Sequence, residues 1–145
     1  MEALNDLVRS GKVRYIGASS GYAWQFQKAN AIAERRGWAK FVSMQNLYNL
    51  LYREEEREMI PYCQDSGIAI IPWSPLARGL LTGKNRESTR SGTDRGISLF
   101  FAEREGSNND AIIDRVIEIA EKHKRSPAQV RKQNPFLDTC FDCCI

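Results

Sequence analysis

No apolar run in this chain approaches the roughly 20 residues needed to span a bilayer, and its first residues carry no secretory-signal pattern. These absences lead to the expectation of a cytoplasmic protein with no membrane role. Neither sign of charge dominates. Against 21 Lys and Arg stand 18 Asp and Glu, a net charge of +3 over 145 residues. So small an excess, with no face rich in Lys and Arg, gives no ground for nucleic-acid binding. Histidine is scarce. The single one, His123, lies among Lys122, Lys124 and Arg125 at the end of a helical pattern, where a cation suits the helix dipole and catalysis is not expected. The four cysteines form no framework: Cys63 stands alone, and Cys140, Cys143 and Cys144 crowd the end. Their C-x-x-C has no second pair or histidine at zinc spacing, so no metal site is expected. Asp142 occupies the fourth position from the end, where a prenylation signal needs cysteine.

What is present belongs to a soluble globular domain with a real core: 42% hydrophobic and 27% charged residues. Leu4, Leu7 and Val8 have helical spacing before Gly11. Residues 13–17 then read as a strand. Residues 24–36 form a second helical segment with Phe26, Ala29 and Ala33 on one face, closing at Gly37. A second strand covers 41–45. The charged run 53–58 reads as a solvated face leading into a helix over 59–63, which Pro61 should kink or restart. Residues 68–71 read as a third, fully buried strand. Strands alternating with helices at this spacing indicate parallel βα repeats and an α/β fold.

The alternation then stops. Residues 82–108 are polar and dotted with glycine, and connections this long are usually functional or disordered. A helix follows with Ile112, Ile113, Val116, Ile117, Ile119 and Ala120 in a wide apolar stripe. Ser126-Pro127-Ala128-Gln129 is a capping-box start, but no apolar periodicity continues it. Two regions are therefore expected: an ordered stretch over 1–130, and a divergent, disordered tail over 131–145 in which the started helix fails to develop.

The most informative stretch runs Ile70-Ile71-Pro72-Trp73-Ser74-Pro75-Leu76-Ala77-Arg78-Gly79. Pro72 ends the strand, and Trp73 sits just past its C-terminal end, the edge where parallel α/β proteins bind ligands. A flat ring there suits stacking on a planar cofactor, with Ser74 and backbone N–H groups free for polar atoms. The residues alone leave a core Trp beside a turn equally open. They likewise leave Ser19 and Ser20 open as helix caps, and Gln45 as a satisfied polar strand end.

Three blocks in order carry a family resemblance: Gly11-Lys12-Val13-Arg14-Tyr15-Ile16-Gly17-Ala18-Ser19-Ser20, Ser43-Met44-Gln45-Asn46-Leu47-Tyr48-Asn49, and Pro72-Trp73-Ser74-Pro75-Leu76. Over about residues 2–130 the chain resembles the C-terminal half of an aldo-keto reductase, and 50–63 looks like the fungal, aryl-alcohol-dehydrogenase-like branch. The resemblance implies a (β/α)8 barrel of which the three strands are the fifth, sixth and seventh. It implies hydride transfer between NADP(H) and a small aldehyde or ketone. On matching positions Ser19, Ser20 and Gln45 would contact the nicotinamide carboxamide and Trp73 would stack on its ring. Ser74, Pro75, Leu76, Ala77 and Arg78 would line the pyrophosphate and ribose, with Lys84 near a phosphate.

The family's catalytic Asp, Tyr, Lys and His belong to its first four strands, and no position here matches them, so no catalytic residue is assigned. The expectation is a reductase piece truncated at both ends and inactive alone, with open sheet edges favouring self-association. The alternative is a non-catalytic module that binds a nucleotide or a partner.

Overall fold

A computed structural model describes residues 1–83, 101 and 108–132. The chain divides into two units, Met1–Tyr48 with Glu54–Trp73, and Asn49–Arg53 with Ser74–Ile145.

The first unit is built on a parallel three-stranded sheet, β1 (Ile16–Ser19), β2 (Phe41–Gln45) and β3 (Ala69–Ile70), in sequential order. Helix α1 (Glu2–Arg9) precedes it, and α2 (Ala23–Arg36) and α3 (Met59–Asp65) are the crossovers. Ile16, Met44 and Ile70 are buried on one face, as are Phe26, Ala33, Met59, Ile60 and Cys63 of the helices. Phe26 is central to this layer. It lies 5.6 Å from the Phe41 ring and meets Tyr62 edge-on at 5.8 Å. Burying one such ring contributes about 1.5–3 kcal/mol. Each parallel connection needs a crossover of a dozen or more residues, and both helices supply one.

The opposite face explains where the expected third strand differs. Of the run 68–71 only 69–70 pair as strand, Ile71 is 47% exposed, and Ala69 is exposed too. Side chains alternate along a strand, so helices on one face bury only every second residue. The first strand also starts later than expected, at Ile16, leaving Val13 and Tyr15 exposed.

A register shift separates Ile16↔Phe41 from Gly17↔Ser43, so Val42 has no partner on β1. Past the shift, Gly17 faces Ser43 so closely that a Cβ would strike Ser43 Oγ and lie 3.2 Å from its carbonyl oxygen. Two buried asparagines fix how β2 enters. Asn30 accepts from Phe41 N–H through Oδ1 at 2.9 Å and donates to its carbonyl through Nδ2 at 3.5 Å. Asn5 Oδ1 accepts from Ala39 N–H at 3.0 Å.

Helix α2 ends as its glycine predicts. Gly37 is left-handed at φ 66°, with Trp38 N–H donating to the Ala33 carbonyl and Gly37 N–H to that of Glu34. Pro61 neither kinks nor restarts α3. The run 54–56 is a separate 3-10 turn, Glu54–Glu56, and α3 begins at Met59, placing Pro61 in the first turn where no intrahelical acceptor is needed.

The second unit holds a 3-10 segment (Ala77–Thr82), α4 (Asn109–Lys122) and α5 (Pro127–Lys132). Only Ile113, Val116 and Ala120 of α4 are buried, while Leu50, Ile112 and Ile119 line a surface groove. The Ser126 capping box forms in both directions: Gln129 Oε1 accepts from Ser126 N–H at 2.9 Å, and Ser126 Oγ accepts from Gln129 N–H at 3.3 Å. The helix it opens does develop, over Pro127–Lys132. The rest of the expected tail, with Cys140, Cys143 and Cys144, lies outside the described residues, as does most of 82–108.

Candidate functional site

At the C-terminal ends of β1 and β2 the first unit gathers four of the residues singled out from sequence. Ser19 closes β1, and its Oγ donates to the Gln45 carbonyl at 2.8 Å. Gln45 closes β2 with its side chain exposed. Trp73 N–H donates to the Asn46 carbonyl at 2.9 Å, and Trp73 forms an isolated parallel bridge with Leu47. That bridging carries the half-buried indole to the same sheet edge, where its Nε1–H donates to Ser20 Oγ at 3.3 Å. Ser19 and Ser20 are not helix caps: α2 has Tyr22 at its N-cap and no side-chain cap bond.

These bonds leave defined chemistry free. Ser19 has committed its proton and keeps lone pairs as acceptors. Ser20 accepts from the indole and keeps its own O–H as a donor. With the exposed Gln45 amide, which offers both kinds of group, the edge presents donors and acceptors beside a flat ring. A primary carboxamide on a planar heterocycle has the matching pattern.

Sequence reasoning missed Asn46, which is fully buried and whose side-chain amide makes no hydrogen bond of good geometry. Beside it, burial pushes the Glu55 carboxyl above its ordinary range; the Asn46 amide pulls it down in part, and Glu54 raises it further. The charge run is thus not simply a solvated face. Tyr48 Oη, buried, donates to Glu56 at 2.7 Å. Nothing in the spacing of three glutamates distinguishes the outer one from the two that turn inward.

In the second unit, Ser74, Pro75, Leu76, Ala77 and Arg78 form one tight loop. Ser74, Ala77 and Arg78 have positive φ, 49°, 47° and 56°, unusual for residues with a Cβ. Buried Asn49 anchors it: Nδ2 donates to the Ser74 carbonyl at 3.0 Å, while Oδ1 accepts from Leu51 and Tyr52 N–H at 2.9 and 3.0 Å. Left-handed residues among ordinary ones turn successive N–H groups to one side, an arrangement that suits an anion. Lys84 lies outside the described residues. Among the described residues there is no group of three or more His, Cys, Asp or Glu able to hold a metal, and no helix long and apolar enough to cross a membrane.

The aldo/keto reductase family model matches residues 1–132. The chain belongs to that family. It is 59% identical over 132 residues to versiconal hemiacetal acetate reductase of Aspergillus parasiticus, covering 90% of this chain and 38% of that protein. It is 57% identical over 132 residues to a Schizosaccharomyces pombe protein whose name gives it as a candidate aryl-alcohol dehydrogenase, covering 88% of this chain and 36% of that one. An aldo-keto reductase of Fusarium vanettenii is 53% identical over 125 residues, covering 84% and 33%. The chain thus spans about a third of the length of these relatives. Aldo-keto reductases are oxidoreductases of carbonyl compounds that generally use NADP(H).

Proposed function

We propose that this chain is the nicotinamide- and pyrophosphate-binding part of an NADP(H)-dependent reductase of small aldehydes or ketones. Residues 1–130 would supply the fifth to seventh strands of an eight-stranded βα barrel. The observation that carries the reading is the sheet edge where Ser19, Ser20, Gln45 and Trp73 converge. NADP(H) supplies the hydride when bound. The residues of this chain hold and orient it. Ser20 would donate to the carboxamide oxygen, Ser19 would accept from its NH2, and Gln45 would complete the grip.

The indole of Trp73, tethered through Ser20, would cover one ring face and leave the other for substrate. The loop 74–78 would receive the pyrophosphate and ribose, with Lys84 beside a phosphate. Strain at Ser74, Ala77 and Arg78 supports that reading, because backbone outliers persist where a ligand clamp needs them. The proton donor to the carbonyl would come from outside this set. Tyr48 does not fit the role, being buried and already donating to Glu56.

NADPH titration of the 145-residue chain, followed by Trp fluorescence, tests the reading. Quenching should saturate weakly and disappear in Trp73→Ala. Without a placed acid, worth roughly 10²–10⁴-fold, the chain alone should not oxidise NADPH with benzaldehyde above background. No saturable quenching in the native chain, or quenching unchanged in Trp73→Ala, would refute the cofactor assignment. Turnover at ordinary enzymatic rates would refute the placement of the proton donor elsewhere.

A further inference from the structure

Past its last paired residue, β2 runs on into residues 46–48, and this extension carries Trp73. β1 pairs no farther than Ser19↔Gln45, and β3 no farther than Met44↔Ile70. Trp73 joins the extension through its N–H bond to the Asn46 carbonyl, 2.9 Å, and its bridge with Leu47. Where the Trp73 backbone sits is therefore set by where residues 46–48 sit.

Side chains alternate along an extended chain, so Asn46 and Tyr48 leave it on the same side. Both are buried. There they meet two consecutive residues of the 3-10 turn Glu54–Glu56. Tyr48 Oη donates to Glu56 at 2.7 Å, and the Asn46 amide lies beside the Glu55 carboxyl. Glu54 turns outward instead and pairs with exposed Arg57 at 2.6 Å. Turning two carboxyl groups inward costs solvation, which a solvated face would keep. The two residues they meet flank Leu47, so the turn grips the extension on either side of its bridge to Trp73.

We propose that Glu55 and Glu56 are positioning residues for Trp73, holding residues 46–48 so that the indole stands in place at the sheet edge. This rests on the reading that Trp73 covers the nicotinamide ring. The two glutamates act through the Asn46 carbonyl and Leu47, not on the cofactor itself. Stacking is sensitive to small displacements: a gap of roughly 0.5–1 Å forfeits a quarter to a half of the dispersion attraction. A slight release of the extension thus weakens binding without unfolding the chain. The same crossover links the parts, since the turn leads into α3, and α3 returns the chain to β3 and Trp73.

The test uses the ¹⁵N-labelled 145-residue chain, whose three Trp give three indole N–H signals. Trp73→Phe assigns one, and Trp24 and Trp38 serve as references in the same unit. Tyr48→Phe removes a single oxygen atom and leaves the ring packed, so it should fold. In it and in Glu56→Ala the Trp73 signal should move while the other two stay. NADPH affinity should fall roughly three- to tenfold in both. Glu56→Gln can still accept from Tyr48 and should recover most of the affinity; Glu55→Gln should likewise bind better than Glu55→Ala. Glu54→Gln, on the outer side of the turn, should leave the Trp73 signal where it is. A purely structural role would lower the urea midpoint and leave the Trp73 signal and the NADPH affinity native. That result overturns the proposal, as would Trp24 and Trp38 signals moving as far as that of Trp73, no recovery in Glu56→Gln, or an equal effect of Glu54→Gln. If the native chain fails to bind NADPH while the Trp73 signal moves as stated, the cofactor reading falls and the positioning of Trp73 stands.

Discussion

Gly17 is held small by one close approach. A methyl group there meets Ser43 Oγ, which can rotate, and the Ser43 carbonyl, which cannot. Gly17→Ala should therefore destabilise the chain by about 1–3 kcal/mol, and adding Ser43→Gly should recover only part of that in a urea melt. Asn49 has a different task. Its single side chain serves Leu51 N–H, Tyr52 N–H and the Ser74 carbonyl. Asn49→Ala should cost about 2–4 kcal/mol, whereas Asn49→Asp keeps both accepted bonds and should cost less. Equal losses in the two variants would show that the Ser74 contact, which Asp cannot make, is the only one that matters.

Glu55 makes stability depend on pH with a definite sign. Burial raises its native carboxyl pKa above the unfolded one, so the native state holds the proton more tightly. Its contribution is fully present below the unfolded pKa and is lost as pH rises through the native value. Glu55→Gln cannot lose a proton and should flatten that part of the curve of melting temperature against pH. An unchanged slope would mean that Glu55 meets as much solvent when folded as when unfolded.

Helix ends show one device used three times. After α2 and α3 the left-handed residue is glycine, Gly37 and Gly67, with the bond pair Trp38 N–H to Ala33 and Gly37 N–H to Glu34 repeated as Ile68 N–H to Cys63 and Gly67 N–H to Gln64. After α4 the same two bonds form, Arg125 N–H to Ala120 and Lys124 N–H to Glu121, but the left-handed residue is Lys124 at φ 51°. A residue with a Cβ costs about 1–2 kcal/mol in that region. Glycine returns part of the gain because its unfolded chain is freer. Lys124→Gly should still raise stability by about 0.5–1 kcal/mol, seen as a higher melting temperature. A decrease would mean that the lysine side chain contributes packing or charge that outweighs the strain. The glycine-closed ends are legible in sequence; the lysine-closed one carries no such letter.

On the scale of the whole chain, the family assignment rests on residues 1–132, and the same stretch runs through both units. The cofactor reading draws on each of them. The carboxamide contacts and Trp73 belong to the first unit, and the strained loop 74–78 to the second. Trp73 and Ser74, one from each group, are consecutive residues. The expectation of self-association follows from β1 and β3 each pairing on one side only within the three-stranded sheet. Sedimentation of the 145-residue chain across concentrations should reveal dimers, and a constant monomer mass would remove that expectation.

The amino-acid sequence by itself determined the kind of fold and the cast of the candidate site. The parallel βα alternation, β2 at Phe41–Gln45, the Gly37 stop and the Ser126 capping box all follow from local periodicity and local hydrogen bonding, which act over a few residues. The motif blocks likewise named Ser19, Ser20, Gln45 and Trp73. Tertiary structure decided everything that depends on what lies opposite. It exposed Ile71 and Ala69, because only one sheet face is covered by the helices. It turned Glu55 and Glu56 inward, buried Asn46 beside the Glu55 carboxyl, and joined Ser20 to Trp73 across 53 positions of chain. Burial and long-range pairing are properties of which segments meet, and no window of sequence contains both partners.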